Sequence, residues 1–235
     1  MQAAKKRILP ELPVTDARYD ASCRRCPRLA GFLDEVRAAH PDYWCRPVAP
    51  LGAVGAPLLI VGLAPGMHGA NATGRPFTGD YAGILLYRTL YEHGFANQPV
   101  GDAIGDGLAL VDCRISNAVK CLPPQNKPLP DEITTCNDYL AADLASLTSG
   151  CAVLALGRIA HEATLRALRL RSRDFVFAHG ARHPLRTPAG AEVVLFDSYH
   201  CSRYNTNTRR LTPDMFHTVF AAIAEYLRGP AATSA

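Results

Sequence analysis

Four short apolar runs, PLLIVGL at 57–63, CRISNAV at 113–119, CAVLALG at 151–157 and EVVLFDS at 192–198, are each bounded by glycine or loop residues. Apolarity this continuous over so few residues marks strands covered on both faces, which in turn requires helices above and below them. Stretches at 26–40, 81–95, 130–147, 158–170 and 212–229 repeat apolar residues three and four apart and supply those helices. The last has Thr212 placed to cap its N-terminus, Pro213 at its first position and Gly229 at its end. Strand and helix alternation predicts an α/β fold, a single-domain three-layer α/β/α sandwich with a mainly parallel central sheet. The 235 residues suit one core, expected over 14–229, with residues 1–13 and 230–235 as flexible ends.

Hydrophobic residues make up 48% and charged residues 20%, an ordinary globular balance. No apolar run is long enough to cross a bilayer, and the N-terminus lacks the apolar core of a secretion signal, so a cytoplasmic location is expected, with a monomer as the default state. In a reducing compartment structural disulfides among the eight cysteines are uncommon, and close pairs are better read as ligands of a metal or cluster. Cys23 and Cys26 form a C-x2-C pair, and Cys121 and Cys136 form a second pair, a set that fits either zinc or an iron–sulfur cluster. Cys113 and Cys151 open apolar runs and read as small core residues, and Cys201 beside His200 has no base placed for it by sequence.

The stretch GLAPGMHGANATGRPFTGD, 62–80, follows the first apolar run and is rich in glycine and proline. It lacks the lysine of a phosphate-binding loop and the glycine spacing of a dinucleotide fingerprint, so no nucleotide cofactor is expected. It offers backbone N–H groups, with Asn71, Phe77 and Asp80 as its ligand-competent side chains. Glycine lets a flat ligand approach the main chain and Phe77 could stack on it. Asn117, ending the second run, could read a ring edge, and His200, after the last, could donate to an oxygen gaining negative charge. Taken singly, each more readily holds a turn or fills the core than binds a ligand. In a parallel sheet, however, the carboxyl ends of strands gather, which brings the loops carrying these residues together. Residues 158–210 contain ten arginines against four acidic residues, a balance suited to phosphate or to a solvated basic surface.

Together, GLAPGMHGANATGRPFTGD, NAVKCLPPQNKP and SYHCSRYNTNTRRLT resemble the three signature regions of the family 5, or B-type, uracil-DNA glycosylases, relatives of the iron–sulfur family 4 enzymes. The resemblance runs from about Cys23 to the last helix. It implies a uracil-DNA glycosylase-like fold and hydrolysis of the glycosidic bond of uracil in DNA, leaving an abasic site. It further implies a 4Fe–4S cluster on Cys23, Cys26, Cys121 and Cys136. The first motif, with Gly62 and Ala64, would enclose the base, Phe77 would stack on it, Asn117 would read its edge, and His200 would face the pyrimidine oxygen beside the departing nitrogen. Asn71 stands where a charged residue could steer water; an amide can only assist less directly, and Asp80 is the nearest acid, expected to hold the loop. Cys201 follows His200 where related enzymes often carry proline. Arg203, Arg209 and Arg210 would hold phosphates around a flipped nucleotide, and hypoxanthine or xanthine in DNA would also be substrates. Two other functions fit the cysteines: an iron–sulfur redox or electron-transfer protein, and a non-catalytic binder of damaged DNA with structural zinc.

Overall fold

A computed structural model describes residues 19–229. The ends expected to be flexible, 1–13 and 230–235, lie outside the described residues. The four apolar runs form the strands β2 (Leu58–Gly62), β3 (Cys113–Asn117), β4 (Ala152–Leu156) and β6 (Glu192–Ser198). Two further strands flank them, β1 (Leu51–Gly52) and β5 (Arg182–Arg186). The sheet order is β1-β3-β2-β4-β6-β5. The inner four strands are parallel, whereas β1 and β5 pair antiparallel at the two edges.

The helices are α1 (Pro27–Ala39), α2 (Ala70–Thr73), α3 (Tyr81–Glu92), α4 (Pro130–Ala145), α5 (Arg158–Ala167), α6 (Arg203–Asn207) and α7 (Pro213–Arg228). The Thr212 hydroxyl accepts the N–H of Met215 at 3.2 Å and caps α7, as its sequence predicts. Successive side chains along β2 point to opposite faces. Leu58 and Ile60 join the core beneath α3 and α7, while Leu59 and Val61 join the one beneath α4 and α5. Both cores are closed, so the sandwich has three layers and its central strands show no polar alternation.

The edge strands escape the sequence patterns for a physical reason. β1 has only two residues, and β5 reads RHPLR, with charges and a proline that an edge tolerates because one side of the strand makes no ladder hydrogen bonds. The short helices α2 and α6 lie within stretches that read as loops.

One polar cluster is buried inside this apolar frame. Asp143 on α4 accepts from Arg114 Nε at 2.9 Å and from Ser116 Oγ at 2.6 Å, both on β3. Lys120 is 1% exposed; its ammonium donates to Ser116 Oγ and to the Asn117 carbonyl, and lies 3.7 Å from Asp143. Removing the carboxylate takes the counter-charge from buried Lys120 and one charged acceptor from Arg114. Asp143→Ala is therefore expected to lower the unfolding free energy by about 3–5 kcal/mol, read from urea denaturation.

Candidate functional site

Beyond the carboxyl ends of the four parallel strands lies an open pocket walled by Ala64, Phe77, Asp80, Asn117, Gly157 and His200, among others. The chain leaves β2 toward β3 on one side and returns to β4 on the other, and diverging connections at such a point leave a crevice. The three loops expected to converge do so. A fourth wall, Gly157 to Ile159 at the start of α5, was not singled out from sequence, although it follows an apolar run and obeys the same rule.

The glycine-rich loop is folded around the carboxylate of Asp80. That carboxylate accepts the N–H of Ala70 at 3.1 Å and a second N–H from Gly66. A Cβ at Gly69 would stand 2.0 Å from the carboxylate, and one at Gly66 would stand 2.3 Å from it, so both positions require glycine. Burial raises the Asp80 carboxyl above its ordinary range, opposed by the two N–H donors. Arg75, 3% exposed, makes a two-pronged pair with Asp106 at 2.8 and 2.7 Å and donates to Thr78, fixing the RPFT segment from behind. Phe77 is held there at a φ of 58°, a left-handed conformation costly for a non-glycine residue.

Gly62 lies beneath the pocket rather than on its wall. A Cβ there would come within 2.4 Å of Asn117 Oδ1 and 2.9 Å of Phe77 Cζ, so glycine lets these two groups meet. Asn117 ends β3 directly beside Gly62 in the parallel register. His200 lies nearly parallel to the Phe77 ring, with centroids 6.1 Å apart and 24° between planes, and its carbonyl accepts from Asn205 at 2.8 Å. Burial lowers the His200 pKa to about 4, so the imidazole is neutral near pH 7 and carries one N–H to donate. Cys201 is fully buried in the core and burial pushes its thiol up to about 12, which leaves it protonated and unfit as a nucleophile.

Asn71 is not brought to the pocket. Its side chain is fully buried and its amide nitrogen faces Cys45 Sγ at 3.6 Å; the pocket's carboxylate is Asp80. Of the arginines, Arg203 stands at the pocket mouth with its guanidinium 4.9 Å from the Tyr81 ring centre, and Arg210 stacks 4.7 Å from that of Tyr199. Arg209 is exposed just past α6.

Cys23, Cys26, Cys121 and Cys136 border a second, smaller pocket between the start of α1, the loop after β3 and α4. Arg28 on α1 grips Glu132 on α4 through two contacts of 2.8 Å, and Glu132 also caps α4 by accepting from Leu129 N at 2.7 Å. This pairing sets Cys26 opposite Cys136, whose sulfur accepts the Lys120 N–H at 3.3 Å. Burial, then the neighbouring sulfurs, raise the Cys121 thiol. Among the described residues, ligand atoms within 4.8 Å of one another form a group of three only at His161, His183 and Asp197. No three of the four thiols therefore lie mutually within 4.8 Å, whereas tetrahedral zinc–sulfur bonds would set every edge at roughly 3.8 Å. The donor set suits a larger thiolate-bound group.

The uracil DNA glycosylase superfamily matches residues 49–224. A type-5 uracil-DNA glycosylase from Thermus thermophilus is 46% identical over 200 residues, covering 83% of this chain and 89% of that protein. One from Mycobacterium bovis is 42% identical, covering 84% of this chain and 75% of its own, and one from Pyrobaculum aerophilum is 37% identical, covering 90% and 88%. The chain belongs to the uracil DNA glycosylase superfamily. Within it, the similarity over most of the chain is to the type-5 enzymes.

His200 also makes a prediction for stability. Its folded pKa lies below the ordinary histidine value of 6.5, so its contribution is complete above that value and is lost as pH falls toward about 4. Between about pH 7 and about pH 5 the loss should approach 2 kcal/mol at most. The Tm of His200→Gln should therefore fall less than that of wild type over this interval, as followed by circular dichroism.

Proposed function

We propose that the protein excises uracil from DNA by hydrolysing the bond between deoxyribose C1′ and the base, the first step of base excision repair. The observation that carries this reading is the convergence of Phe77, Asn117 and a neutral His200 on one pocket, in a chain similar to type-5 uracil-DNA glycosylases. The bond is hidden in stacked duplex DNA, so the nucleotide must be flipped out, at a cost of a few kcal/mol. Phe77 then stacks on the base, Ala64 and the loop backbone enclose it, and the Asn117 amide pairs with its edge.

When the bond breaks, its electron pair leaves with the base and charge gathers on the oxygen beside the departing nitrogen. His200 donates its N–H there, and being uncharged it does so without a desolvated cation to maintain. The sugar becomes oxocarbenium-like; Asp80, the pocket's carboxylate, can hold the water that adds at C1′ and take its proton, which passes on to the departing base anion. Asn71 takes no part in this scheme, since its amide is turned into the interior. Arg203, Arg209 and Arg210, with Arg158 on the fourth wall, contact the phosphates around the flipped nucleotide. The groups placed on the base, Phe77, Asn117 and a neutral His200, carry no charge, which supports release of other deaminated bases such as hypoxanthine and xanthine. Cys23, Cys26, Cys121 and Cys136 would hold a 4Fe–4S cluster. Its contribution in this reading is structural, tying α1 to α4 and to the loop that begins at Asn117. We take residues 14–229 as one catalytic unit.

Wild-type protein should produce alkali-sensitive sites in uracil-containing duplex DNA, and His200→Ala should do so about 10²–10³-fold more slowly, the cost of one anion-stabilising donor. A folded wild-type protein that leaves such DNA uncut would overturn the assignment. Gly62→Ala should also slow excision, because the new methyl displaces Asn117 or Phe77, and a single-turnover assay beside a thermal melt separates this from unfolding.

A further inference from the structure

Away from the base pocket, on the α4/α5 face of the sheet, three side chains from three elements meet. His161 projects from α5, His183 from β5 and Asp197 from β6. Asp197 is completely buried, and the side chains of His161 and His183 are 1% and 14% exposed. The two carboxylate oxygens are shared out: Oδ1 lies 2.8 Å from His161 Nδ1 and Oδ2 lies 3.1 Å from His183 Nε2. All three potential ligand atoms fall within 4.8 Å of one another.

Bonds of about 2.0–2.2 Å from zinc to imidazole nitrogen and carboxylate oxygen set tetrahedral neighbours roughly 3.3–3.6 Å apart, so the nitrogen–oxygen separations of 2.8 and 3.1 Å would have to widen by only a few tenths of an ångström around an ion. The outer nitrogen of His161 supports the same reading. Nε2 lies 3.1 Å from the Phe175 carbonyl, so it is positioned to donate there and to leave Nδ1 as the inward-facing ligand. Metal-bound histidines are characteristically oriented in this way. Two imidazoles and one carboxylate, with no thiolate, suit zinc or another divalent transition ion better than calcium or magnesium. The 14% exposure at His183 marks the side from which an ion could enter.

We propose that His161 Nδ1, His183 Nε2 and the Asp197 carboxylate bind one divalent transition-metal ion, zinc by donor chemistry, distinct from the group held by the four cysteines. The ion takes the place of the N–H protons that otherwise bridge the imidazoles to the carboxylate. Its role is structural: it pins the edge strand β5 and the 172–181 connection to α5 and β6. The edge strand needs such support, because only its Leu185 is fully buried.

The test is a titration of the purified protein, cysteine-bound group in place, with Co²⁺. Wild type should take up one equivalent with the visible spectrum of nitrogen and oxygen ligation, without the charge-transfer absorption of cobalt–thiolate bonds. Zinc should displace it, and saturating metal should raise the Tm reversibly on chelation. His183→Gln, at the partly exposed corner and so tolerant of substitution, should weaken cobalt binding at least about tenfold, as loss of a ligand or its support does. Asp197→Asn should abolish binding if it folds. Absence of a nitrogen/oxygen-type cobalt spectrum in wild type, or equal affinity in His183→Gln, would overturn the proposal and leave a proton-bridged ion cluster.

Discussion

The buried carboxylate of Asp143 is the contact on which the functional half of the molecule rests. Helix α4 could slide along the sheet on apolar contacts alone, since such contacts are non-directional. A carboxylate that accepts from Arg114 and Ser116 on β3 removes that freedom, because a small shift would leave buried charge unpaired. Lys120 extends the constraint past the end of the strand: its ammonium binds the Asn117 carbonyl, and its backbone N–H binds Cys136 on α4. The residue proposed to read the base and one of the cysteines are thus positioned by the same lysine.

A second carboxylate organises the glycine-rich loop. Asp80 needs the loop backbone to approach it at two points more closely than any Cβ permits, which is why Gly66 and Gly69 stand where they do. The composition of that stretch is therefore less a sign of flexibility than of crowding. Arg75 with Asp106 braces the same loop from the opposite side, and between the two supports Phe77 is held at its strained φ. Strain of this kind persists only where surrounding contacts overdetermine it, and here it presents an aromatic face beside His200.

Much of this was legible in the sequence. The inner strands were, because burial on both faces removes polar residues from them, and so was the meeting of their loops, because parallel strands share a carboxyl end. The edge strands were not, since RHPLR carries the polarity that an edge permits and a centre forbids. Side-chain direction was also hidden. Asn71 and Asp80 lie in one motif and both read as ligand-competent, yet one short helical turn buries Asn71 against Cys45 while Asp80 reaches the pocket. Gly62 looked like a wall of the pocket and is instead the space into which Asn117 and Phe77 fit. The His161–Asp197–His183 group left no local trace, because its members are contributed by a helix and two strands far apart in the chain.

The pocket's electrostatics follow from its depth. Burial strips the proton from His200 and works against the charge on Asp80, so neither group can serve as a freely solvated acid or base. What remains is a set of fixed dipoles: an imidazole N–H, an amide and the loop backbone, with one carboxylate restrained by two N–H donors. In the proposed reaction such a set would stabilise charge where it develops, on the departing base and the sugar it leaves, and do little for a neutral substrate at rest. Arg203 lies at the mouth and Arg209 and Arg210 on the exposed segment after α6, where water moderates their field. In that reaction they would gather phosphates without competing for the base inside. In the proposed reaction, a cationic rim around an interior whose one carboxylate is restrained would hold DNA while leaving discrimination to shape and hydrogen bonding.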